Sequence, residues 1–187
     1  PMLSMAKIRI TDMRVNGLDR PIGTDPDGKT VFSWILISDK TETFQEAYQV
    51  VVSSQGKKLW DSGKVKSDNS IAVAYEGTLT PDTEYTWTLQ VWDNHGSASK
   101  KATSKWQTGI RTNDWKAQWI TASETPVPTY FRKAEILSGN IRKATAYITS
   151  HGIYEAFING KRVGNYELTP GWTTYLKRLQ YQAYDVT

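Results

Sequence analysis

The chain has 187 residues, of which 39% are hydrophobic and 22% are charged, and its formal net charge is +4. These proportions are typical of a globular protein, while eight Trp and ten Tyr exceed average usage and favour β-structure. The absence of cysteine excludes disulfide staples, thiolate metal sites and cysteine nucleophiles.

The basic residues form scattered pairs, such as Lys57-Lys58 and Lys177-Arg178, and never a block of five or six like charges. This pattern predicts a solvated surface and no nucleic-acid partner, since nucleic-acid binding would require a basic stripe interleaved with aromatic residues. No run approaches the roughly 18 apolar residues that span a bilayer, so no membrane partner is predicted. The first residue is Pro1 and no signal peptide is visible, so we expect that the native N-terminus has been removed. Both the bacterial cytoplasm and the periplasm or secretion stay open as compartments.

The first part of the chain is predicted to be an antiparallel β-sandwich. Its apolar segments are short and alternate with period two, and no stretch of about 12 residues keeps a helical period. Turn clusters such as "GTDPDG" and "DNHG" separate these segments at the spacing of a sandwich. Seven strands are predicted, over residues 8–15, 31–37, 48–53, 59–65, 71–75, 84–92 and 104–108.

The segment "EYTWTLQVW" is the most informative of these strands. Alternation places Tyr85, Trp87, Leu89 and Val91 on one face, which predicts that they lie in the core. A leucine and a proline turn precede Tyr85, which is the arrangement of a tyrosine corner, where the phenol hydroxyl bonds an upstream backbone group. Trp92 falls with the polar residues, so we predict an interdomain position for it, covered by the next domain or exposed at a contact surface.

A structured linker is predicted over residues 111–129, between a first domain at 1–110 and a second domain at 130–187. The linker carries Pro, Asn, Asp and Ser without periodicity, yet it is too aromatic for a flexible tether. Its tryptophans, Trp115 and Trp119, lie four residues apart and are predicted to pack along both neighbouring domains.

The second domain is also predicted to be antiparallel β-structure. Strands are expected in "YFRKAEI", "KATAYITS", "GIYEAFI", "KRVGNYEL" and "QYQAYDV". Asn159-Gly160 lies between two of them and predicts a two-residue type I′ hairpin, because both positions tolerate positive φ. The pattern favours a jelly roll.

Ordered motifs along nearly the whole chain resemble bacterial α-L-rhamnosidases of glycoside hydrolase family 78. The motifs "RVNG", "FSW", "QEAYQVVV", "LWDSGKV", "AYEG", "TEYTWTLQVWD" and "WKAQWI" are similar to the N-terminal region of these enzymes. The motifs "FRK", "GIYEAFINGKRVGNYELTPGWTTY" and "LQYQAYDVT" are similar to the accessory β-domain that follows. Each motif alone is weak, but the ordered set is specific.

The resemblance implies a fibronectin type III-like, or immunoglobulin-like, sandwich followed by a galactose-binding-like jelly roll. It also implies a helical catalytic barrel downstream, whose carboxylates act as acid and base in an inverting hydrolysis. That barrel is not in this sequence, so no catalytic residue is carried over. The family's second domain continues beyond "YDVT", so we expect this chain to be a fragment with an incomplete jelly roll.

The residues themselves offer no catalytic pair and no metal site. Glycoside hydrolysis needs two carboxyl groups about 5 to 10 Å apart, one of them with a raised pKa. Glu155 and Glu167 lie nearest to aromatic residues, but strand alternation predicts that both point to solvent. His95 and His151 have no acidic partners at ligand spacing, so neither a metal nor another cofactor is predicted.

Sugar contact is the remaining functional prediction, because aromatic faces match the C–H surface of a pyranose. The candidates are Trp172 and Tyr175 in "PGWTTY", with Tyr154 and Tyr166 nearby. Packing within the domain, or against the catalytic barrel, competes with sugar contact at these positions.

The sequence therefore predicts a non-catalytic N-terminal fragment of an α-L-rhamnosidase that orients or covers the catalytic domain and meets rhamnose-containing glycans through the parent enzyme. The alternative is a self-standing carbohydrate-binding or adhesion protein. An incomplete second domain would leave a sheet edge unpaired, which predicts a dimer through residues after about Tyr130.

Overall fold

The computed structural model describes residues 8–123 and 128–187, which are almost entirely strand and loop. The chain divides into two compact units, residues 1–111 and 112–187. Residues 124–127, within the predicted linker, lie outside the described part. The first unit contains β1 (Ile8–Val15), β2 (Ile22–Thr24), β3 (Val31–Ser38), β4 (Gln45–Ser54), β5 (Lys57–Asp61), β6 (Val65–Lys66), β7 (Val73–Ala74), β8 (Glu84–Asp93) and β9 (Ala102–Thr108). The second contains a 3₁₀ turn (Thr112–Asp114), β10 (Thr145–Ile148), β11 (Phe157–Ile158), β12 (Lys161–Arg162) and β13 (Gln182–Asp185).

The first unit is a sandwich of two sheets. One sheet has the order β1-β3-β7, and the other has the order β2-β9-β8-β4-β5, with β6 also paired to β4. Phe32 of the first sheet stacks on Trp87 of the second, with ring centroids 4.4 Å apart, so the sheets meet through aromatic rings. The predicted all-β, immunoglobulin-like fold is confirmed for this unit.

Strand β8 follows the predicted alternation along its length. Tyr85, Trp87, Leu89 and Val91 are each no more than 1% exposed, and the residues between them are partly exposed. The predicted tyrosine corner is also present, because the backbone N–H of Thr80 donates to the Tyr85 hydroxyl over 2.7 Å. The central strand of the core is therefore tied to the turn that precedes it.

Two strands of the first unit are shorter than the sequence predicts, and one was missed. The strand predicted at 59–65 is divided into β5 and β6, because Gly63 takes a φ of 62° and donates its N–H to Asp61. Only Val73–Ala74 is strand within the segment predicted at 71–75. Strand β2, which pairs parallel with β9, was not predicted because three residues are too few to show alternation.

The second unit contains two short antiparallel ladders, β10 with β13 and β11 with β12. The Asn159-Gly160 hairpin is confirmed: both residues have positive φ, 51° and 77°, and they join β11 to β12. The strand predicted at 130–136 is wrong, since this segment pairs with no described strand, and both Tyr130 and Ile136 are fully exposed. Alternation alone does not make a strand, because the backbone also needs a partner for its N–H and C=O groups. The jelly roll stays a prediction for this unit.

Tyr85→Phe is expected to lower the free energy of unfolding by about 1 kcal/mol, because the N–H of Thr80 loses its acceptor while the ring packing is kept. Urea denaturation measures the change. Tyr48→Phe is the matched control, since the Tyr48 hydroxyl forms no hydrogen bond with the described residues and its loss should change stability little. Equal effects of the two substitutions would contradict the role assigned to the corner.

Candidate functional site

Four rings of the second unit form a continuous row. His151 stacks nearly parallel on Tyr175, with centroids 5.0 Å apart and an interplanar angle of 6°. Trp119 lies 4.6 Å from His151 on one side, and Trp172 lies 6.3 Å from Tyr175 on the other. The structure thus brings together the predicted pair Trp172 and Tyr175, and it adds two rings that the sequence did not place there. We call these four residues the aromatic row.

Backbone hydrogen bonds fix the position of Tyr175 within the row. Its hydroxyl accepts from the N–H of Gly152 over 3.0 Å, which ties it to the loop that carries His151. The carbonyl of Thr174 accepts from the N–H groups of Lys177 and Arg178, at 2.8 and 2.9 Å, so Tyr175 stands on a tight turn. A ring held at its base and at its hydroxyl loses little conformational entropy when a ligand binds.

Trp172 is the exposed end of the row, with 93% of its surface accessible. It follows Gly171, whose φ is 100°. The carboxamide of Gln180 lies against Gly171, since a Cβ there would approach its Oε1 within 2.8 Å. An indole face with an amide close beside it is the combination that recognises a sugar ring by its C–H surface and its hydroxyls.

Tyr154 supports the loop that carries Trp172 and is not part of the row. Its hydroxyl donates to Gln182 Oε1 over 3.1 Å, and the amide nitrogen of Gln182 donates to the carbonyl of Pro170 over 3.0 Å. Burial raises the pKa of Tyr154 above its ordinary value, and the hydrogen bond with Tyr184 raises it further. Tyr154 is therefore a neutral positioning residue at any ordinary pH.

Tyr166 also lies apart from the aromatic row. It is 62% exposed and packs at a tilt against Tyr184, with centroids 6.3 Å apart. Tyr184 in turn fills the space above Gly164, where a Cβ would come within 2.3 Å of its ring. Of the four predicted sugar-contact residues, the structure therefore brings together two.

The predicted interdomain tryptophans each contact residues of their own unit. Trp115 meets the ring of Tyr181 edge to face at 5.6 Å, and Trp119 belongs to the aromatic row. Trp92, in the first unit, is partly exposed and lies under the ammonium group of Lys64, 4.3 Å from the ring centroid. Their interdomain role stays a prediction.

The two acids nearest to the aromatics do not form a catalytic pair. Arg162 bonds Glu167 at 2.8 Å and lies 3.6 Å from Glu155. The hydrogen bond from Arg162 holds the pKa of Glu167 below its usual value, whereas a general acid needs a raised one. No group of three His, Cys, Asp or Glu side chains in residues 8–123 and 128–187 could hold a metal ion. Within the same residues, no helix has the length and apolar character needed to cross a membrane.

Comparison with known families gives two matches in the order of the two units. Residues 10–112 match the family described as "Rha78A-like, N-terminal immunoglobulin domain", and residues 139–187 match "Alpha-L-rhamnosidase N-terminal domain". The first match covers more than half of the chain. This chain belongs to the Rha78A-like N-terminal immunoglobulin domain family. The resemblance to the N-terminal region of α-L-rhamnosidases is thereby confirmed.

Individual proteins that are similar to this chain are also α-L-rhamnosidases. An α-L-rhamnosidase of Formosa agariphila is 34% identical over 192 residues, covering 91% of this chain and 21% of that protein. One from Streptomyces avermitilis is 33% identical, covering 90% of this chain and 20% of that protein. The solved α-L-rhamnosidase from Dictyoglumus thermophilum matches with a TM-score of 0.84 and 33% identity, covering 95% of this chain and 23% of that one. The chain thus spans about a fifth of the length of these relatives.

Proposed function

We propose that this chain is the non-catalytic N-terminal portion of an α-L-rhamnosidase, and that its two units orient or cover a separate catalytic domain. One observation carries the proposal: the chain matches the Dictyoglumus thermophilum enzyme over 95% of its own length but over only 23% of that enzyme. The ion pairing of Glu155 and Glu167 with Arg162 supports a non-catalytic role, because a paired and exposed carboxylate makes a poor general acid.

The chain alone is expected to leave an aryl α-L-rhamnoside uncleaved, because Arg162 pairs with both Glu155 and Glu167 and holds the pKa of Glu167 below its usual value, whereas a general acid needs a raised one. Release of the aryl group, followed by absorbance, measures this. Glu155→Gln/Glu167→Gln is the control. Turnover by the purified chain that disappears in this double variant would contradict the proposal.

A self-standing carbohydrate-binding or adhesion protein is the second candidate, favoured by the exposure of Trp172. In the leading proposal, deleting residues 1–187 from the parent enzyme should lower the melting temperature of its catalytic domain. In the alternative, the chain works alone and no catalytic domain depends on it.

We propose in addition that the aromatic row contacts rhamnose-containing glycans. Trp172 offers an exposed indole, Tyr175 is held in place by the N–H of Gly152, and the Gln180 amide beside Gly171 supplies a donor and an acceptor for sugar hydroxyls. L-Rhamnose carries a methyl group at C5, which adds apolar surface suited to an indole.

Titration with rhamnosyl oligosaccharides is expected to change Trp fluorescence, and Trp172→Ala should remove at least about 80% of the affinity, because stacking on one ring is worth about 1 to 3 kcal/mol. Tyr166→Ala is the matched control: an exposed aromatic of the same unit outside the row, whose loss should leave binding unchanged. No response at millimolar sugar, or equal loss in the two variants, would contradict the glycan role.

We propose, finally, that two copies of the chain pair through the second unit. In the described residues β10 pairs with β13 alone and β12 with β11 alone, so each two-stranded ladder has unpaired outer edges. Before β10 in the chain, Ile136 is 101% exposed and Leu137 is 66% exposed. These side chains give apolar surface that is suited to burial in an interface.

Light scattering at rising concentration is expected to show a dimer, and Ile136→Lys/Leu137→Lys should raise the dissociation constant at least about tenfold by placing charge in the interface. Ile71→Lys in the first unit is the matched control, since Ile71 is 71% exposed and far along the chain from the second unit. A monomer at every concentration would contradict the dimer.

A further inference from the structure

The outer face of the larger sheet of the first unit carries a shallow groove of about 240 Å³. Two pairs of side chains from β4 and β8 form its floor: Gln49 lies opposite Gln90, and Val51 lies opposite Thr88. Lys101 lines its side. The volume suits about one sugar ring with its substituents.

Hydrogen bonds hold both glutamine amides of the groove in place. The amide nitrogen of Gln49 donates to Asp61 over 2.8 Å, and that of Gln90 donates to the carbonyl of Ser99 over 3.1 Å. Each amide oxygen accepts no hydrogen bond from the described residues, so it can accept from a ligand hydroxyl. Fixed acceptors opposite each other across two strands are suited to neighbouring hydroxyls of a pyranose.

The groove also has a surplus of positive charge. Lys58 and Lys105, on the same sheet, pair with Asp61 and Glu84 at 3.2 and 3.1 Å. In contrast, Lys101 and Lys64 form no ion pair within residues 8–123 and 128–187. Lys64 instead lies over the ring of Trp92, so of these two lysines it is Lys101 whose charge is available to a ligand.

An aromatic ring stands at one end of the groove. Trp92 lies two residues after Gln90 on the same side of β8, about 7 Å along the strand, and its indole is partly exposed under Lys64. Two amide oxygens and the ammonium group of Lys101 therefore line the groove, while Lys64 and Trp92 contact each other beyond its lining. Nucleic acid fits this surface poorly, because a phosphate backbone needs a longer basic stripe.

We propose that this face is a binding site for an anionic glycan, such as a chain containing uronic acids. The hydroxyls of a pyranose ring donate to the oxygens of Gln49 and Gln90, and a uronate carboxylate pairs with Lys101. The site lies in the first unit and is separate from the aromatic row, so it does not rest on the glycan role proposed for the second unit.

Titration of the full chain with a trimer of galacturonic acid, followed by NMR, is expected to shift the resonances of the groove with a Kd of about 1 mM or tighter. Lys101→Ala should weaken binding about tenfold. Added salt should weaken binding, because it screens the attraction between the exposed Lys101 ammonium group and the uronate carboxylate.

Lys105→Ala is the matched control. Lys105 lies on the same sheet, but its charge is already paired with Glu84. Binding that survives in Lys105→Ala and Trp172→Ala but falls in Lys101→Ala supports the proposal and separates this site from the aromatic row. The proposal would be overturned if the neutral trimer maltotriose, or acetate alone, bound equally well. It would also be overturned if Lys101→Ala and Lys105→Ala weakened binding equally, or if no NMR resonance of the groove shifted.

Discussion

The first unit depends on Tyr85, whose side chain is held at both of its ends. The ring stacks on Trp106 of the neighbouring strand, with centroids 4.9 Å apart and an interplanar angle of 19°, while the hydroxyl accepts from the N–H of Thr80. Phe32 of the opposite sheet packs on Trp87 and meets Trp106 edge to face. One group of rings therefore fixes the pairing of β8 with β9, the turn before β8 and the spacing of the two sheets.

The sequence allowed most of this first unit to be predicted, because its strands are long and alternate between a buried and a solvated face. Strand β1 was predicted at its observed bounds, and the buried face of β8 was predicted residue by residue. Alternation does not predict a strand correctly where strand formation depends on a partner for the backbone. The segment at 130–136 was also predicted as a strand, yet it pairs with no described strand. Strand β2, in contrast, is too short to show alternation and is defined by its parallel pairing with β9.

The candidate site was predicted only in part, because its residues come from segments that are far apart along the chain. Trp172 and Tyr175 stand three residues apart, next to a Pro-Gly dipeptide, so one motif indicated both. Trp119 and His151 join them from more than 20 residues away, and only the folded chain shows that contact. His151 is an isolated histidine before a glycine, and nothing in the sequence around it indicated a binding site. Tyr154 was predicted as a sugar-contact residue; in the structure it bonds through Gln182 to the loop that carries Trp172.

Strand β2 has a consequence for how the first unit can be used. It covers one side of β9 with only three residues, and β5, at the other end of the same sheet, begins with the exposed lysines Lys57 and Lys58. A very short border strand and a charged one both resist the addition of a foreign strand. The larger sheet of the first unit is therefore protected at both of its ends against pairing with a strand of another chain.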